Sequence, residues 1–301
     1  MPQGKGYMPE KKIVFITGCS SGFGLVSSVY LASKGYQVIA TMRNLDKRHD
    51  LLNECKPAGC NIDILQLDVT DVSSIDKAVD IVYKRYGRID VLVNNAGYAI
   101  CGFFEDLSEE DIRKQMDTNF FGVQNVTRRV IPIMRQKRQG KIINISSISG
   151  LYALPGLGAY NASKWALEGF SESLRYELKV FGIDVILIEP GPYKTKIFTD
   201  NACYARGFND KKSLYYDLSQ YFVKRVDKNI NRKFNDPKCI AVLIEKLITS
   251  KNPSFRNIPD FNSRMLYFLR KYLPFRIFSM LLEATMFANA RELVHKIKVL
   301  D

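Results

Sequence analysis

Short apolar runs alternate with longer amphipathic stretches along this chain, and that alternation limits the folds open to it more than any other feature. The runs are rich in valine, isoleucine and leucine, and patterns with a helical period separate them. Such an order predicts parallel strands joined by right-handed helical crossovers, with helices on both faces of the sheet. The predicted strands span 12–16, 37–41, 62–67, 89–93, 141–145 and 183–188, with a last short strand near 254–258.

The length of the chain supports a single large fold of this kind. It has 301 residues, 46% of them apolar, which suffices to bury one α/β core without disulfides. Helical patterns fill 45–55, 72–86 and 160–180, and Ser108 precedes acidic residues in the pattern of a helix cap. We therefore expect an α/β fold with a doubly wound, Rossmann-type parallel β-sheet of about seven strands flanked by helices.

Cysteine and histidine usage narrows the chemistry. The six cysteines are scattered, and the nearest pair, Cys55 and Cys60, has neither redox nor zinc-ligand spacing. With only two histidines, we expect no catalytic metal. The first residues lack the apolar core of a signal peptide, and no stretch reaches the roughly 18 uncharged apolar residues of a spanning helix. These features predict reduced thiols and a cytoplasmic location.

The formal net charge of +13 indicates an acidic partner or surface. Nucleic acid, a phospholipid surface and an acidic carrier protein all carry the required sign. No nucleic-acid-binding motif accompanies the charge, so we expect no nucleic-acid partner. The lipid surface and the carrier protein stay open.

A glycine-rich segment, 17–24, lies where the first predicted strand turns into a helix. Gly18 permits the tight turn, Gly22 lets the backbone approach a pyrophosphate, and Gly24 allows the helix to pack closely on the strand. The helix N-terminus supplies unpaired N–H groups and a positive dipole. Alone, the same spacing also fits a glycine turn without a ligand.

Other motifs follow this loop in a fixed order. Asn94 to Gly97 reads NNAG after the fourth predicted strand, Tyr160 to Lys164 reads YxxxK, and Pro190-Gly191 follows the sixth strand. Together these motifs resemble the short-chain dehydrogenase/reductase family, strongly over residues 11–196 and more loosely to about 260. The resemblance implies an NAD(P)(H)-dependent oxidoreductase that moves a hydride between the nicotinamide ring and a carbonyl or alcohol.

The resemblance also implies a role for individual residues. Asp68 would hydrogen-bond the adenine, and Asn119 would position a proton-relay water. Ser147, thirteen residues before Tyr160, would contact the substrate, and only that spacing selects it over Ser146 and Ser149. The cofactor-binding residues implied in this way are Thr17, Gly18, Ser20, Ser21, Gly22, Phe23, Gly24, Asp68, Val69, Asn95, Ala96, Gly97, Tyr160, Lys164, Pro190, Gly191 and Thr195.

The catalytic chemistry can be stated from the residues. Tyr160 and Lys164 are four apart in a helical stretch and share one face. The lysine ammonium and the nicotinium charge would favour the phenolate and bring the pKa of Tyr160 toward the operating pH. Ser147 can donate to the substrate oxygen, and Asn119 would connect Lys164 to solvent through a water.

The end of the second predicted strand indicates which cofactor is used. An NAD enzyme usually places a carboxylate there for the ribose 2′-hydroxyl. Met42 and Arg43 stand near that place instead, and an arginine suits a 2′-phosphate. We expect NADP(H) to be preferred, with NAD(H) as the alternative if a shifted turn presents Asp46.

The substrate is predicted from weaker signals. Apolar residues surround the expected cleft, which favours a hydrophobic substrate, although several of them fit equally well as core residues. We expect Leu154 to contact the substrate together with Ser147 and Tyr160. The remaining apolar set is Leu151, Tyr152, Pro155, Leu157, Pro192, Ile197 and Phe198. Within the family, the chain looks most like the hydroxysteroid and retinol dehydrogenase branch.

We expect one domain over residues 1–301, with a cofactor-binding and catalytic core at 11–196. The polar, basic and aromatic segment 197–235 fits a substrate lid or, alternatively, a surface helical excursion. The helical extension 260–301 is amphipathic and basic, and Pro274 interrupts it. It fits peripheral membrane contact, closure of the substrate pocket, or packing on a partner subunit. The resemblance implies a homo-oligomer, a dimer or a tetramer.

Two other functions compete with an alcohol or ketone oxidoreductase. A 3-oxoacyl-thioester reductase could use the basic surface to dock an acidic acyl carrier, although the lid and long C-terminus argue mildly against it. A non-catalytic NADP(H)-binding sensor would need the fold alone. The intact Ser147, Tyr160 and Lys164 argue against a sensor.

Overall fold

The computed structural model describes residues 11–195, 203–230 and 235–287. Its strands are β1 (Ile13–Ile16), β2 (Gln37–Met42), β3 (Asp63–Gln66), β4 (Val91–Asn94), β5 (Ile100–Cys101), β6 (Gly140–Ile145), β7 (Ile183–Ile188), β8 (Cys203–Tyr204) and β9 (Arg256–Asn257). Seven of them form one sheet in the order β3-β2-β1-β4-β6-β7-β9, with every neighbouring pair parallel. The predicted α/β fold with a Rossmann-type parallel sheet is confirmed.

Helices cover both faces of this sheet because successive strand residues point to opposite sides. The helices are α1 (Gly22–Ser33), α2 (Arg48–Ala58), α3 (Val72–Tyr86), α4 (Glu109–Met116), α5 (Gly122–Lys137), α6 (Gly158–Lys179), α7 (Tyr216–Ile230), α8 (Lys238–Thr249), α9 (Phe261–Tyr272) and α10 (Phe275–Met286). On β1, Val14 and Ile16 pack toward α1, α2 and α8, while Phe15 packs toward α3, α5 and α6.

Local sequence signals account for several helix ends. Ser108 and Asp111 form a reciprocal capping box at the start of α4, as the sequence predicted. Gly59 and Gly87 end α2 and α3 in the left-handed conformation. One feature had no sequence signal: a π-helical turn, Asp117–Phe121, joins α4 to α5 and carries the buried Asn119.

A second, two-stranded sheet was also not predicted. It pairs β5 with β8 in parallel, so the segment after β4 is tied to the start of the predicted lid. Within 11–195, 203–230 and 235–287, no helix is both long and apolar enough to cross a membrane.

A buried chain of polar side chains crosses the layer between the sheet and helices α5 and α6. The amide of Asn94 donates to Thr127 at 3.0 Å and to the side-chain oxygen of Asn144 at 2.8 Å. The amide of Asn144 in turn donates to Ser171 at 2.9 Å. Because these groups are buried, each depends on its partners for hydrogen bonding. These hydrogen bonds between side chains hold α5 and α6 in register with β4 and β6.

Replacing the middle member of this chain should therefore cost stability. We expect Asn144→Leu to lower the free energy of unfolding by about 1–3 kcal/mol, since Ser171 loses its donor and Asn94 loses one acceptor. Asn53→Leu, at an exposed position of α2, is the control and should change stability by less than about 0.5 kcal/mol. Urea unfolding followed by circular dichroism measures both. Equal stabilities for the two variants would contradict the assigned role of the polar chain.

Candidate active site

The candidate site lies at one edge of the main sheet. The strands are parallel, so the segments that follow β1, β4, β6 and β7 all emerge at the same edge. These segments contain the glycine loop 17–24, the NNAG segment, Ser147 and the Pro190-Gly191 pair. The fold thus brings together motifs that are up to about 170 residues apart in the sequence.

The glycine loop is held against the end of β4 by four hydrogen bonds. The hydroxyl oxygen of Thr17 accepts from the backbone N–H groups of Asn95 and Ala96, both at 3.0 Å. The amide of Asn95 donates to the carbonyls of Thr17 and Gly18, both at 2.9 Å. Thr17 and Asn95 therefore fix the shape of the loop, and Asn95 has a structural task in addition to any contact with a cofactor.

Two of the loop glycines are required by close packing. Gly18 has φ +72°, and a Cβ there would lie 2.7 Å from the Cα of Ala96. A Cβ at Gly24 would lie 2.4 Å from the carbonyl oxygen of Gly18. Both distances are far below van der Waals contact, so no other residue fits without moving the backbone.

Gly22 opens the loop for a different reason. It has φ +57° and is the first residue of α1, and a Cβ there would point toward Thr195 at 3.7 Å. The Ser21 side chain at the N-cap makes no capping hydrogen bond to the first turn, and a helix N-terminus carries N–H groups without intrahelical acceptors. The open backbone and the helix end fit the pyrophosphate of a dinucleotide. Ser20 and Phe23 lie in the same turn, and the Phe23 ring packs edge-on against Tyr193 at 5.3 Å.

Arg43 and Asp68, which were predicted to contact the adenosine part of the cofactor, follow β2 and β3 at this edge of the sheet. Met42 is buried, whereas Arg43 is exposed just beyond β2, with its charge near the phenol of Tyr98. Asp46 lies in the following 3-10 turn, where its N–H donates to the side chain of Asn44. The carboxylate of Asp68 accepts from the N–H and hydroxyl of Thr70, which fixes its orientation beside the buried Val69.

The four predicted catalytic residues are brought together in one buried group. Tyr160 and Ser147 are both buried, and the Ser147 side chain favours the charged form of the Tyr160 phenol. The Lys164 ammonium donates to the carbonyl of Ile145 at 2.9 Å and lies 5.7 Å from the centre of the Tyr160 ring. The neighbouring Ser146 donates to the carboxylate of Glu168.

Asn119 joins this group through a residue that the sequence did not single out. Its amide donates to the hydroxyl of Ser163 at 3.1 Å, and Ser163 donates to the carbonyl of Tyr160 at 2.7 Å. The other contacts of Asn119 are with the backbone N–H and carbonyl of Tyr98. Ser163 lies inside the YxxxK motif at a variable position, so the motif alone gave no signal for it.

Burial sets the proton affinities of the two central groups. It raises the pKa of Tyr160 to about 12, and the Ser147 side chain opposes that rise. Burial likewise lowers the pKa of Lys164 to about 8, against the influence of the Glu168 carboxylate. The sequence argument expected the lysine ammonium and the nicotinium charge together to lower this pKa, and in the protein alone burial is the dominant influence. Part of the required lowering would have to come from the positive charge that an oxidised nicotinamide supplies when bound.

The Pro190-Gly191 segment is anchored from the C-terminal part of the chain. The N–H of Gly191 donates to the carboxylate of Asp260 at 3.0 Å, and Asp260 also caps α9 through the N–H of Ser263. A Cβ at Gly191 would lie 2.0 Å from the Ser263 hydroxyl, which explains the glycine. The carbonyl of Pro190 accepts from the N–H of Ile148, next to Ser147.

The described part of the segment that was predicted as a lid packs through aromatic rings on the loop after β5 and on the residue after α10. Phe103 stacks on Tyr215 at 4.8 Å, and Phe222 of α7 contacts both Phe103 and Phe287. On the other side, Leu151, Tyr152 and Leu154 pack with residues of α9 and α10, as the core alternative expected for part of the apolar set. Ile197 and Phe198, predicted to line the same cleft, lie outside the described residues.

Behind the catalytic group lies a cluster of charges that the sequence analysis missed. The guanidinium of Arg256 on β9 bonds Glu168 of α6 and Glu189 at the end of β7, the latter at 2.8 Å, and reaches Glu172 at 3.2 Å. Burial raises the pKa of Glu168, and burial together with the charge of Glu168 raises the pKa of Glu189. These residues are separated by up to 88 positions, so no local spacing could reveal the cluster.

Arg256→Met tests how much this cluster supports the site. Because two buried carboxylates would lose their shared cation, we expect the free energy of unfolding to fall by about 2–4 kcal/mol at neutral pH, allowing for the partial exposure of Arg256. Arg85→Met, which breaks the exposed pair with Asp63, is the control and should cost less than about 1 kcal/mol.

The loss of stability in Arg256→Met should also depend on pH. A carboxyl whose folded pKa is raised stabilises the fold below its ordinary pKa, and that contribution is lost as pH rises through the folded pKa. Removal of Arg256 raises the pKa of Glu168 and Glu189 further, so the stability gap between variant and wild type should be wider at pH 8 than at about pH 5.5. Thermal unfolding at both pH values measures it, and a gap that widened toward low pH would refute the assignment.

Three relatives share much of this chain's sequence. The uncharacterized oxidoreductase YusZ of Bacillus subtilis is 45% identical over 248 residues, 81% of this chain and 86% of the relative. A 3-ketodihydrosphingosine reductase of Bacteroides thetaiotaomicron is 39% identical, covering 82% of this chain and 87% of its own length. Human retinol dehydrogenase 8 is 37% identical over 81% of this chain and 80% of its own length.

Solved structures agree with the sequence relatives. A short-chain dehydrogenase from Streptomyces avermitilis superposes with a TM-score of 0.75 at 30% identity, covering 94% of this chain and 98% of that one. Actinorhodin polyketide ketoreductase with NADPH gives a TM-score of 0.70 at 27% identity, over 82% and 95%. The model of the short chain dehydrogenase family matches residues 12–202. This chain therefore belongs to the short-chain dehydrogenase/reductase family and is an NAD(P)-dependent oxidoreductase.

Proposed function

We propose that the protein transfers a hydride between NADP(H) and the carbonyl or alcohol group of a hydrophobic substrate, with Tyr160 as the proton-transferring residue. The observation that carries this proposal is the burial of Tyr160, Lys164 and Ser147 together, with the Lys164 ammonium 5.7 Å from the centre of the Tyr160 ring and bonded to the end of β6, two residues before Ser147. The Tyr160 phenol provides a proton donor, and Lys164 provides a positive charge beside it. The Ser147 hydroxyl can bind the oxygen of the substrate.

Each member of the group has its own task in this proposal. In the reducing direction, the Tyr160 hydroxyl gives its proton to the substrate oxygen, and the Ser147 hydroxyl donates a hydrogen bond to the same oxygen. Protonated Lys164 stabilises the phenolate that remains. Asn119 holds the first turn of α6 through Ser163 and would position the water that returns the proton. The cofactor supplies the hydride when bound.

The preference for NADP(H) over NAD(H) rests on charge at the end of β2. Arg43 is exposed there, and Met42 is a buried apolar residue where a carboxylate would accept from the ribose 2′-hydroxyl of NAD(H). The ketoreductase structure with NADPH is a related case at 27% identity. Asp46 lies one turn farther on and is the residue that an NAD(H) enzyme of this shape would use.

The proposed substrate class rests on the apolar residues between Ser147 and Tyr160 and on the substrates named for the relatives. Leu154 lies between the catalytic loop and the C-terminal helices, and residues 197–235 would form the lid through α7 and its aromatic contacts. The relatives named for their substrates act on retinol or on 3-ketodihydrosphingosine. A steroid-, retinoid- or lipid-like ketone or alcohol fits best, and a 3-oxoacyl thioester is the second candidate. Measuring NADPH consumption with retinal, ketosteroids, aliphatic ketones and acetoacetyl thioesters separates them; no turnover with any would favour a sensor.

We also propose that the chain forms a homo-oligomer through α6. Trp165 and Tyr176 are exposed large side chains eleven positions apart on this helix, so they share one face. An exposed aromatic face of a helix is suited to pairing with a second copy. A dimer or tetramer in light scattering would support this contact.

Tyr160→Phe is the first test of the catalytic assignment. It removes the proton donor and keeps the ring, so turnover should fall about 10²- to 10⁴-fold while NADPH affinity and the melting temperature stay nearly unchanged. Tyr86→Phe on α3 is a matched control. Burial also raises the pKa of the Tyr86 phenol to about 12, but this phenol bonds Asp63 and lies away from the site. Initial rates and NADPH fluorescence titration give both quantities. Near wild-type turnover in Tyr160→Phe would show that another group transfers the proton.

Arg43→Ala tests the cofactor preference. A charge-assisted bond to the 2′-phosphate should contribute about 1.5–3 kcal/mol, so the variant should lose roughly ten- to hundredfold in NADPH affinity and little in NADH affinity. Met42→Asp should act in the opposite sense by repelling the phosphate. The wild-type preference should also shrink at high salt. If wild type prefers NADH, or if Arg43→Ala weakens both cofactors equally, the assignment passes to Asp46.

A further inference from the structure

Helices α9 and α10 present a second apolar face, on the side opposite to the one that packs on the protein. Phe261, Met265, Phe268 and Tyr272 occur at intervals of four, three and four residues, which places them on one side of α9. Their exposed fractions are 74%, 51%, 60% and 62%. Four further large apolar residues, on the adjacent helix α10, are also exposed. We call the eight residues the C-terminal apolar surface: Phe261, Met265, Phe268, Tyr272, Phe275, Ile277, Met280 and Leu281.

The inner sides of the same helices already have partners. Leu266, Leu269 and Leu273 of α9 and its C-terminal end pack with Phe278 and with Tyr152 from the loop after β6. A helix at the surface of a protein normally needs one apolar side for such packing and is polar on the other. In the part of the chain that the structure describes, nothing covers the outer side. Eight large exposed apolar side chains on two adjacent helices form the kind of patch that marks an interaction site.

Basic residues border this surface. Between Phe261 and Phe287 the chain has four basic residues, Arg264, Arg270, Lys271 and Arg276, and one acidic residue, Glu283. Arg264 and Lys271 are seven residues apart and therefore flank the same edge of the α9 face. Lysine is depleted at the centres of protein–protein interfaces, whereas lysine and arginine beside inserted aromatic side chains suit anionic headgroups.

We propose that the C-terminal apolar surface docks the protein on an anionic phospholipid bilayer, with α9 and α10 lying in the plane of the interface. The aromatic and aliphatic side chains enter the boundary between headgroups and acyl chains, and the cations contact the phosphates. The interaction uses one face of two helices and requires no spanning segment. This inference does not depend on the proposed reaction, although both concern hydrophobic molecules.

The position of the surface relates docking to the site. The inner side of α9 and α10 packs on Leu151, Tyr152 and Leu154, in the segment between Ser147 and Tyr160. At its N-terminal end, α9 is joined to the Pro190-Gly191 segment through Asp260. Docking through the outer side would thus place the segment between Ser147 and Tyr160 within one helix diameter, about 10–12 Å, of the bilayer boundary. A substrate dissolved in the membrane would have a short path to Tyr160.

Vesicle binding by the full-length chain tests the proposal. Vesicles of phosphatidylcholine with about 30% phosphatidylserine should bind the protein at low salt, and about 0.5 M salt should reduce binding severalfold. Met265→Ser with Phe268→Ser should lower the partition coefficient by roughly tenfold or more. Lys271→Glu with Arg276→Glu should lower binding to the charged vesicles by about tenfold and leave binding to pure phosphatidylcholine unchanged.

Matched controls come from α3, which lies away from this surface. Val72→Ser with Ile81→Ser removes two exposed apolar side chains there, and Lys77→Glu with Lys84→Glu reverses two exposed charges. These pairs should bind vesicles as the wild type does, and all variants should keep wild-type turnover of a water-soluble ketone. If the wild type itself did not turn over a water-soluble ketone, that result would count against the proposed reaction and would leave the vesicle-binding result unaffected.

Three results would overturn the proposal. The first is no binding of the wild type to phosphatidylserine vesicles at low salt. The second is an equal loss of binding in the α3 control variants. The third is a change of oligomeric state in Met265→Ser with Phe268→Ser, seen by light scattering without any vesicle binding, which would make the surface a contact between copies of the chain.

Discussion

Helix α6 buries mainly polar groups along its first four turns and only leucines along its last two, and the arrangement of the site depends on that difference. Tyr160, Ser163, Lys164, Glu168 and Ser171 are all buried on the side that faces the sheet. Buried polar groups are stable only when they are paired, so each must find a partner on a neighbouring element. The partners come from β6 and the residue that follows it, from the π-helical turn and from β9. This need for pairing holds the loops at the sheet edge in one arrangement.

The same requirement extends the support of the site far from the motifs. Arg256 on a two-residue edge strand neutralises carboxylates beneath Lys164, and Asp260 four residues later anchors the loop of Pro190 and Gly191. Both residues precede the two helices that carry the C-terminal apolar surface. A movement of α9 would therefore act on the Pro190-Gly191 segment through the hydrogen bond between Asp260 and Gly191. The proposed membrane docking and the proposed chemistry would share this segment of the chain.

Periodicity and motif order in the sequence were enough to predict the main sheet, most helices and the pairing of Tyr160 with Lys164. The strands came within two residues of their observed ends because runs such as 183–188 are buried on both faces and bounded by turns. Three features gave no local signal: the π-helical turn that positions Asn119, the β5–β8 pairing, and the Arg256 cluster. Each depends on contacts between distant segments. Spacing predicted the charged neighbour of Tyr160 but not the burial that raises the pKa of the phenol in the protein alone, because spacing does not reveal the loss of water.

The most direct test of the account is the pKa of Tyr160 with and without NADP⁺. Tyrosine labelled with ¹³C at Cζ gives a signal that reports ionisation, and Tyr160→Phe identifies the resonance among the sixteen tyrosines. The account predicts a pKa of about 12 in the protein alone and a fall by several units when NADP⁺ binds, because the positive nicotinamide ring and Lys164 then stabilise the phenolate together. A pKa that stays near 12 in the NADP⁺ complex would contradict the role of Tyr160 as the group that transfers the proton.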